Sequence, residues 1–298
     1  MKTSRIILSA TAAASIALLA SCSGSDTPST ESLSFRAGTS VVATDGSSAP
    51  QAYVAEYRTD YNLSSGYVTV SSDNLYAGAE KIPFRAEMPF RSQVYSNGDI
   101  RSFSSASDLQ MGGFTLSGIS GNMISIYNPS SVAGIPAGIR RVFNMSFSCD
   151  GKKVTVFDLA PYFGGTTETR YVNAAGQPTV FKYDELIYAV DLDVEKGKAN
   201  VTFYNARFAS EMPVKLRFRL EDLDLAFTSS GYSITGTGIV PQVFEGSDFT
   251  PNKDYTFKSF SLAVSGQNYN TAMISYVVTG KKSDYTGTCL ASQFNVED

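Results

Sequence analysis

The sequence has no histidine and no tryptophan, and only three cysteines in 298 residues. Without an imidazole there is no Ser-His-Asp or Cys-His catalysis, and no histidine-ligated metal. Without an indole, a sugar platform built on tryptophan is excluded as well. The chain also lacks a G-x-S-x-G elbow, a Walker loop and a G-x-G-x-x-G turn, so no nucleotide cradle or hydrolase nucleophile is marked out. Charged residues make up only 17%, and the formal net charge is −4, with no basic cluster. Such a surface gives nucleic acid and anionic head groups no electrostatic footing. Catalytic residues, cofactors and metal sites are therefore all expected to be absent.

What is present begins with an export signal. Met1-Lys2-Thr3-Ser4-Arg5 carries two positive charges, and an apolar run of small residues follows from Ile6 to Ala20. That run is too short for a permanent membrane span but has the length of a secretory h-region. It ends Leu19-Ala20-Ser21-Cys22, which resembles the lipobox of bacterial lipoproteins. The resemblance implies cleavage between Ser21 and Cys22 and diacylglycerol on the Cys22 thiol. Two or three acyl chains bury enough CH₂ groups for stable anchoring, whereas a single myristoyl chain is marginal. Residues 1–21 are thus read as signal peptide, and 22–49, polar and small, as lipidated Cys22 plus a flexible tether. The expected location is the outer membrane, on its periplasmic or surface-exposed face.

The remainder reads as all-β. Gly, Ser, Thr, Tyr, Phe and Val are frequent, and no helical period is sustained. In Phe143-Asn144-Met145-Ser146-Phe147-Ser148-Cys149 the apolar residues take every second position and so share one strand face. Turn pairs such as Asn97-Gly98, Asp150-Gly151, Ser230-Gly231 and Ser265-Gly266 fall between such runs. There is also an internal repeat. Tyr57 to Gly66 aligns without a gap on Tyr188 to Gly197, and Asn97-Gly98 falls on Ser230-Gly231. Met145, Phe147 and Cys149 fall on Phe260, Leu262 and Val264. The predicted organisation is a β repeat at 50–160, a linker at 161–180 and a second β repeat at 181–298. Each repeat is an antiparallel β-sandwich or a calycin-like barrel, either as two domains or merged into one.

The lipobox, the polar tether and the segment Ala199-Asn-Val-Thr-Phe-Tyr-Asn-Ala-Arg-Phe-Ala-Ser-Glu-Met-Pro213 together resemble a Bacteroidetes lipoprotein group with calycin-like β domains of unknown function. Gly231-Tyr-Ser-Ile-Thr-Gly-Thr-Gly-Ile-Val-Pro241 extends the match, which covers the second repeat best. The resemblance implies lipocalin-style barrels and supplies no catalytic residues.

Few residues invite a functional reading. Tyr53, Tyr57 and Tyr61, with Tyr67 nearby and Tyr188 as the repeat partner of Tyr57, are candidate ligand or interface aromatics; the competing reading places them in the core. Asp191, Asp193 and Glu195 superficially resemble a calcium loop, but Lys196 and Thr202 occupy the EF-hand's glycine and glutamate positions, and alternation makes these acids a solvated strand face. Cys149 and Cys289 are either buried free thiols or a disulfide. The leading expectation is a non-enzymatic binding or adhesion module on a lipid anchor, with a glycan, a protein or a small apolar ligand as partner. One alternative is a fimbrial subunit matured by cleavage after Arg36. Another is a carrier holding a small apolar ligand inside a calycin-like barrel.

Overall fold

The computed structural model describes residues 29–77, 80–128, 138–280 and 283–294. The signal segment, Ser21 and Cys22 lie outside the described residues. Described residues up to 157 give nine strands: β1 (Thr30–Ala43), β2 (Gln51–Asn62), β3 (Tyr67–Ala77), β4 (Glu80–Tyr95), β5 (Gly98–Ser104), β6 (Leu109–Met111), β7 (Phe114–Asn128), β8 (Gly138–Cys149) and β9 (Lys152–Phe157). Each pairs antiparallel with its chain neighbour, except that β5 skips the short β6 to reach β7. Strand β9 returns to pair with β1, so the sheet closes into an up-and-down barrel. Closure leaves the ring itself without an edge; the short β6, paired with β7 alone, keeps one.

The second half repeats this plan with additions. Its strands are β10 (Tyr162–Gly164), β11 (Thr167–Val172), β12 (Pro178–Tyr183), β13 (Ile187–Asp193), β14 (Lys198–Ala206) and β15 (Leu216–Thr228), then β16 (Gly231–Ile239), β17 (Gln242–Glu245), β18 (Asp248–Pro251), β19 (Thr256–Ser265), β20 (Thr271–Thr279) and β21 (Asp284–Gln293). The order β10-β13-β14-β15-β16-β19-β20-β21 closes when β10 pairs β21. Two hairpins are added to the ring, β11–β12 on β21 and β17–β18 on β15. The calycin-like alternative for the fold is therefore the one realised: two barrels in tandem.

Both barrels carry large apolar and aromatic side chains in their interiors. In the first, β2 turns Ala55, Tyr57, Thr59 and Tyr61 inward, against Phe84, Phe103, Phe143, Met145 and Phe147. Phe143 stacks on Phe35 and Phe103, at 5.2 and 6.0 Å between ring centroids. In the second, Phe203 is wholly buried and meets Tyr188, Phe257, Phe260 and Tyr276 at 5.0–5.8 Å.

The strand assignments revise three boundaries. The expected tether at 22–49 contains β1, whose Leu33, Phe35, Ala37, Thr39 and Val41 alternate inward while serine and threonine dominate the outer face. Composition had hidden that alternation. The expected linker at 161–180 contains β10, β11 and the start of β12. The true connection is residues 158–161, and even it is tied down. Leu192 and Val190 of β13 donate backbone N–H bonds of 2.9 Å to the carbonyls of Leu159 and Pro161. Arg140 of β8 binds the Asp158 carboxylate and the Ala160 carbonyl, and its guanidinium lies 4.5 Å from the Tyr162 ring centroid. The third revision concerns the repeat. Ring order matches β2–β3 with β13–β14 and β4–β5 with β15–β16, as the sequence alignment has it, but pairs β8 with β20, not β19. The 143–149 alignment on 260–264 is one strand out of step with the ring order.

The barrels meet along the outer face of β1, β9 and β8. Seven consecutive residues of β1, Ala37 to Ala43, are buried, which requires cover on both faces. Ser40 shares a 2.6 Å hydrogen bond with the Tyr269 hydroxyl of the second barrel. Phe157 ends β9 but belongs to the core of the second barrel, with Tyr269, Phe227 and Tyr232 at 5.2, 5.7 and 6.0 Å. It can lie flat across β1 because position 38 is glycine: a Cβ there would sit 2.4 Å from the ring.

Candidate functional site

The tyrosines singled out from the sequence do not form a surface. Tyr57, Tyr61 and Tyr188 are at most 1% exposed and fill barrel interiors, and Tyr53 packs against the first core from its rim. Burial raises the Tyr57, Tyr61 and Tyr188 hydroxyls above the ordinary phenol value. Tyr57 shares a 2.7 Å hydrogen bond with Thr39, and Tyr188 one of 3.0 Å with Thr167, so the repeat preserves a tyrosine–threonine pair on adjoining strands. As ligand or interface aromatics these three are corrected to core residues, because four-residue spacing along β2 keeps tyrosines on the inward face.

Cys149 and Cys289 are free thiols, buried in different barrels. Burial pushes both above the usual thiol range, so neither should react as a thiolate at neutral pH. We expect a thiol reagent to label neither in the native protein at pH 7.5, and both at once on denaturation. Native-state labelling within minutes would contradict their placement.

The solvated reading of the acidic run holds. Asp191 and Glu195 are exposed while Leu192 and Val194 are buried. Asp193 pairs with Lys196 at 2.5 Å, which holds its carboxyl below the ordinary range. Lys198 pairs with Asp224 at 2.8 Å. Asp191, Asp193, Glu195, Lys196 and Lys198 border a cleft of about 630 Å³ that also touches Arg36 and Val54 of the first barrel. Among the described residues no group of three or more acidic or cysteine side chains is placed to hold a metal ion.

A second cleft, of about 350 Å³, has a different character. One wall is the outer face of β7 and β8, with Asn122, Ile124, Val142 and Asn144. The other is the turn Gln267–Tyr269 with Asn270 and Thr271, and the end of β21 with Ser292, Gln293 and Phe294. No lining side chain carries a charge. Six of those that line it are carboxamides: Asn122, Asn144, Gln267, Asn268, Asn270 and Gln293.

The geometry is built, not incidental. Asn122 and Asn144 face each other in the β7–β8 register, and the Asn144 amide donates to Asn122 Oδ1 at 3.2 Å. Asn144 is only 4% exposed, and its own Oδ1 has no partner. The bond to Asn122 fixes the orientation, since reversing the Asn144 amide alone would set its oxygen against Asn122 Oδ1. Asn268 Oδ1 is likewise buried and unpartnered. A buried acceptor without a partner costs about 1–3 kcal/mol. The turn bearing Asn268 is strained as well: Asn268 and Tyr269 have φ of 55° and 60°, following Gly266 at 88°. Side chains rarely adopt that left-handed region, at a cost of about 1–3 kcal/mol each. The Tyr269 hydroxyl bond to Ser40 holds the turn down on the first barrel. Chemically the cleft offers donors, acceptors and an aromatic wall, but no group to act as acid, base or nucleophile near neutral pH.

None of these amides stood out in the sequence. Asn122, Asn144 and Asn268 are far apart in the chain, and carboxamides form no recognised spacing motif. The one local signal was the amide density of Gly266-Gln-Asn-Tyr-Asn270 after a turn pair.

The fold and cleft define an all-β protein of two tandem up-and-down barrels with a neutral polar site at their junction. No family model matches the chain, and no curated protein does. Among solved structures the chain is similar to intact Ap-TbpB with its N and C lobes, at 7% identity and a TM-score of 0.26, over 90% of this chain and 78% of that one. It is also similar to the isotype 1 transferrin binding protein B from serogroup B Neisseria meningitidis, at 9% identity and a TM-score of 0.28, over 89% and 77%. Similarity at this level carries no argument about ligand or activity.

Proposed function

We propose that the protein is a non-enzymatic binding module, lipidated on Cys22 and displayed at the outer membrane, whose ligand site is the amide-lined cleft between the barrels. The observation that carries this reading is the pair of buried carboxamide oxygens without a partner, Asn144 Oδ1 and Asn268 Oδ1, beside a strained, uncharged cleft. Binding is where such strain is useful, because a site held open in advance loses less freedom when the ligand arrives. The anchor, and membership of the Bacteroidetes lipoprotein group, rest on Leu19-Ala20-Ser21-Cys22 and on the segment 199–213.

Intact-mass spectrometry of protein extracted from native membranes tests the anchor. The expected species is residues 22–298 plus two or three acyl chains. An unlipidated species beginning at Ala37 would sink this reading and restore the fimbrial one. That cut is disfavoured by the neighbourhood of Arg36. Position 36 lies inside β1 opposite Glu56, between Phe35, stacked on Phe143, and buried Ala37. Glu31, further along the same strand, is paired with Arg101 at 2.6 Å. Brief trypsin treatment of the folded protein should therefore leave the Arg36–Ala37 bond intact.

A further inference from the structure

We infer that the interbarrel cleft takes a neutral, hydroxyl-rich ring: one or two sugar units of an uncharged glycan. This rests on the binding-module reading above and names its ligand class. Four features converge. First, the lining is uncharged, whereas a phosphate, sulfate or carboxylate ligand calls for an arginine, a lysine or a converging set of backbone N–H groups. Second, a carboxamide holds a donor and an acceptor side by side, and each sugar hydroxyl both donates and accepts, so paired amides match neighbouring hydroxyls. The Oδ1 atoms of Asn144 and Asn268, two of the lining residues, are buried and have no partner inside the protein. Third, the volume of about 350 Å³ lies at the small end for ligand pockets and suits a compact ring. Fourth, Phe294 supplies an aromatic wall, the surface against which the C–H face of a sugar packs. A peptide is the other ligand that amides serve well. It is disfavoured because the strands that keep a free edge, β6, β12 and β18, contribute no residue to this cleft, so no backbone ladder is offered there.

The test uses the full-length protein, solubilised from membranes, on an array of neutral oligosaccharides of glucose, galactose, mannose and N-acetylglucosamine. Sialylated and sulfated glycans and a set of tripeptides complete the array. Two variants accompany it. Asn268→Gly removes the amide at a left-handed position that glycine accepts, so the fold is retained. Asn144→Asp keeps the shape and introduces a charge. Retention of at least one neutral glycan, weakened about tenfold or more by Asn268→Gly with the melting temperature unchanged or raised, supports the proposal; the factor is that of one lost hydrogen bond. Variant-sensitive binding only of charged glycans or of tripeptides overturns the ligand class and leaves the binding-module reading standing. Neutral glycans that bind both variants as well as the native protein overturn this site for sugar. No variant-sensitive binding to any probe overturns both readings.

Discussion

Raising the pH above about 10 should unfold this protein steeply, and the tyrosines should report it. Tyr57, Tyr61, Tyr188, Tyr232 and Tyr276 are sealed inside the barrels, and burial raises each hydroxyl above its ordinary value of 10.0. A raised pKa in the folded state means that the unfolded chain loses its phenolic protons first. Their stabilising contribution is complete below pH 10 and falls as the pH climbs from there toward the folded values. Each phenol then costs about 1.4 kcal/mol per pH unit, so five together cost about 7 kcal/mol per unit. Domain stabilities are about 5–15 kcal/mol, and collapse is expected within about two units above pH 10. The check is absorbance at 295 nm against far-ultraviolet circular dichroism during an alkaline titration. Coincident late steps are expected; full tyrosinate absorbance with the β signal intact would show that the barrels do not seal their tyrosines.

Truncating Phe157 should be the most damaging single change at the junction. Its ring contacts Phe227, Tyr232 and Tyr269 and covers the backbone at Gly38. Phe157→Ala should cost about 3–5 kcal/mol, since the aromatic surface is lost and the rigid barrels cannot collapse into the space. It should also divide the molecule energetically. The native protein is expected to melt in one calorimetric transition, and the variant in two, one for each barrel. Gly38→Ala should act in the same direction by lifting the ring off β1. A variant that still melts once, within about 1 kcal/mol of the native protein, would show that Phe157 does not couple the barrels.

The fold was legible in the sequence where hydrophobic alternation and turn pairs coincide. Phe143 to Cys149 and the Asn97-Gly98 hairpin announce themselves. Strand β1 did not, because its outer face is serine and threonine and its inner face begins with the modest Leu33, Phe35 and Ala37. Strand identity inside the repeat was less legible still. A period of two is common to every inward-facing strand, so Met145-Ser-Phe147-Ser-Cys149 aligns as readily with β19 as with its ring counterpart β20. The tyrosines were visible as a cluster, but composition cannot say whether a strand face looks into a barrel or out of it. The cleft was illegible for a different reason: its amides come from β7 and β8 of one barrel and from a turn and the end of β21 of the other, and they meet only where the barrels do.

Strand β1 has one further consequence, a mechanical one. It is the first described strand, and from Thr30 to Val41 it is paired residue by residue with β2, with β9 holding its other side from Gly38 onward. With the N-terminus fixed to a membrane and the junction engaged, tension would enter the barrel along the axis of that strand. The hydrogen-bond ladder would then be loaded in shear, many rungs at a time, rather than unzipped one by one. The molecule would resist drag best when pulled from the N-terminal end of β1.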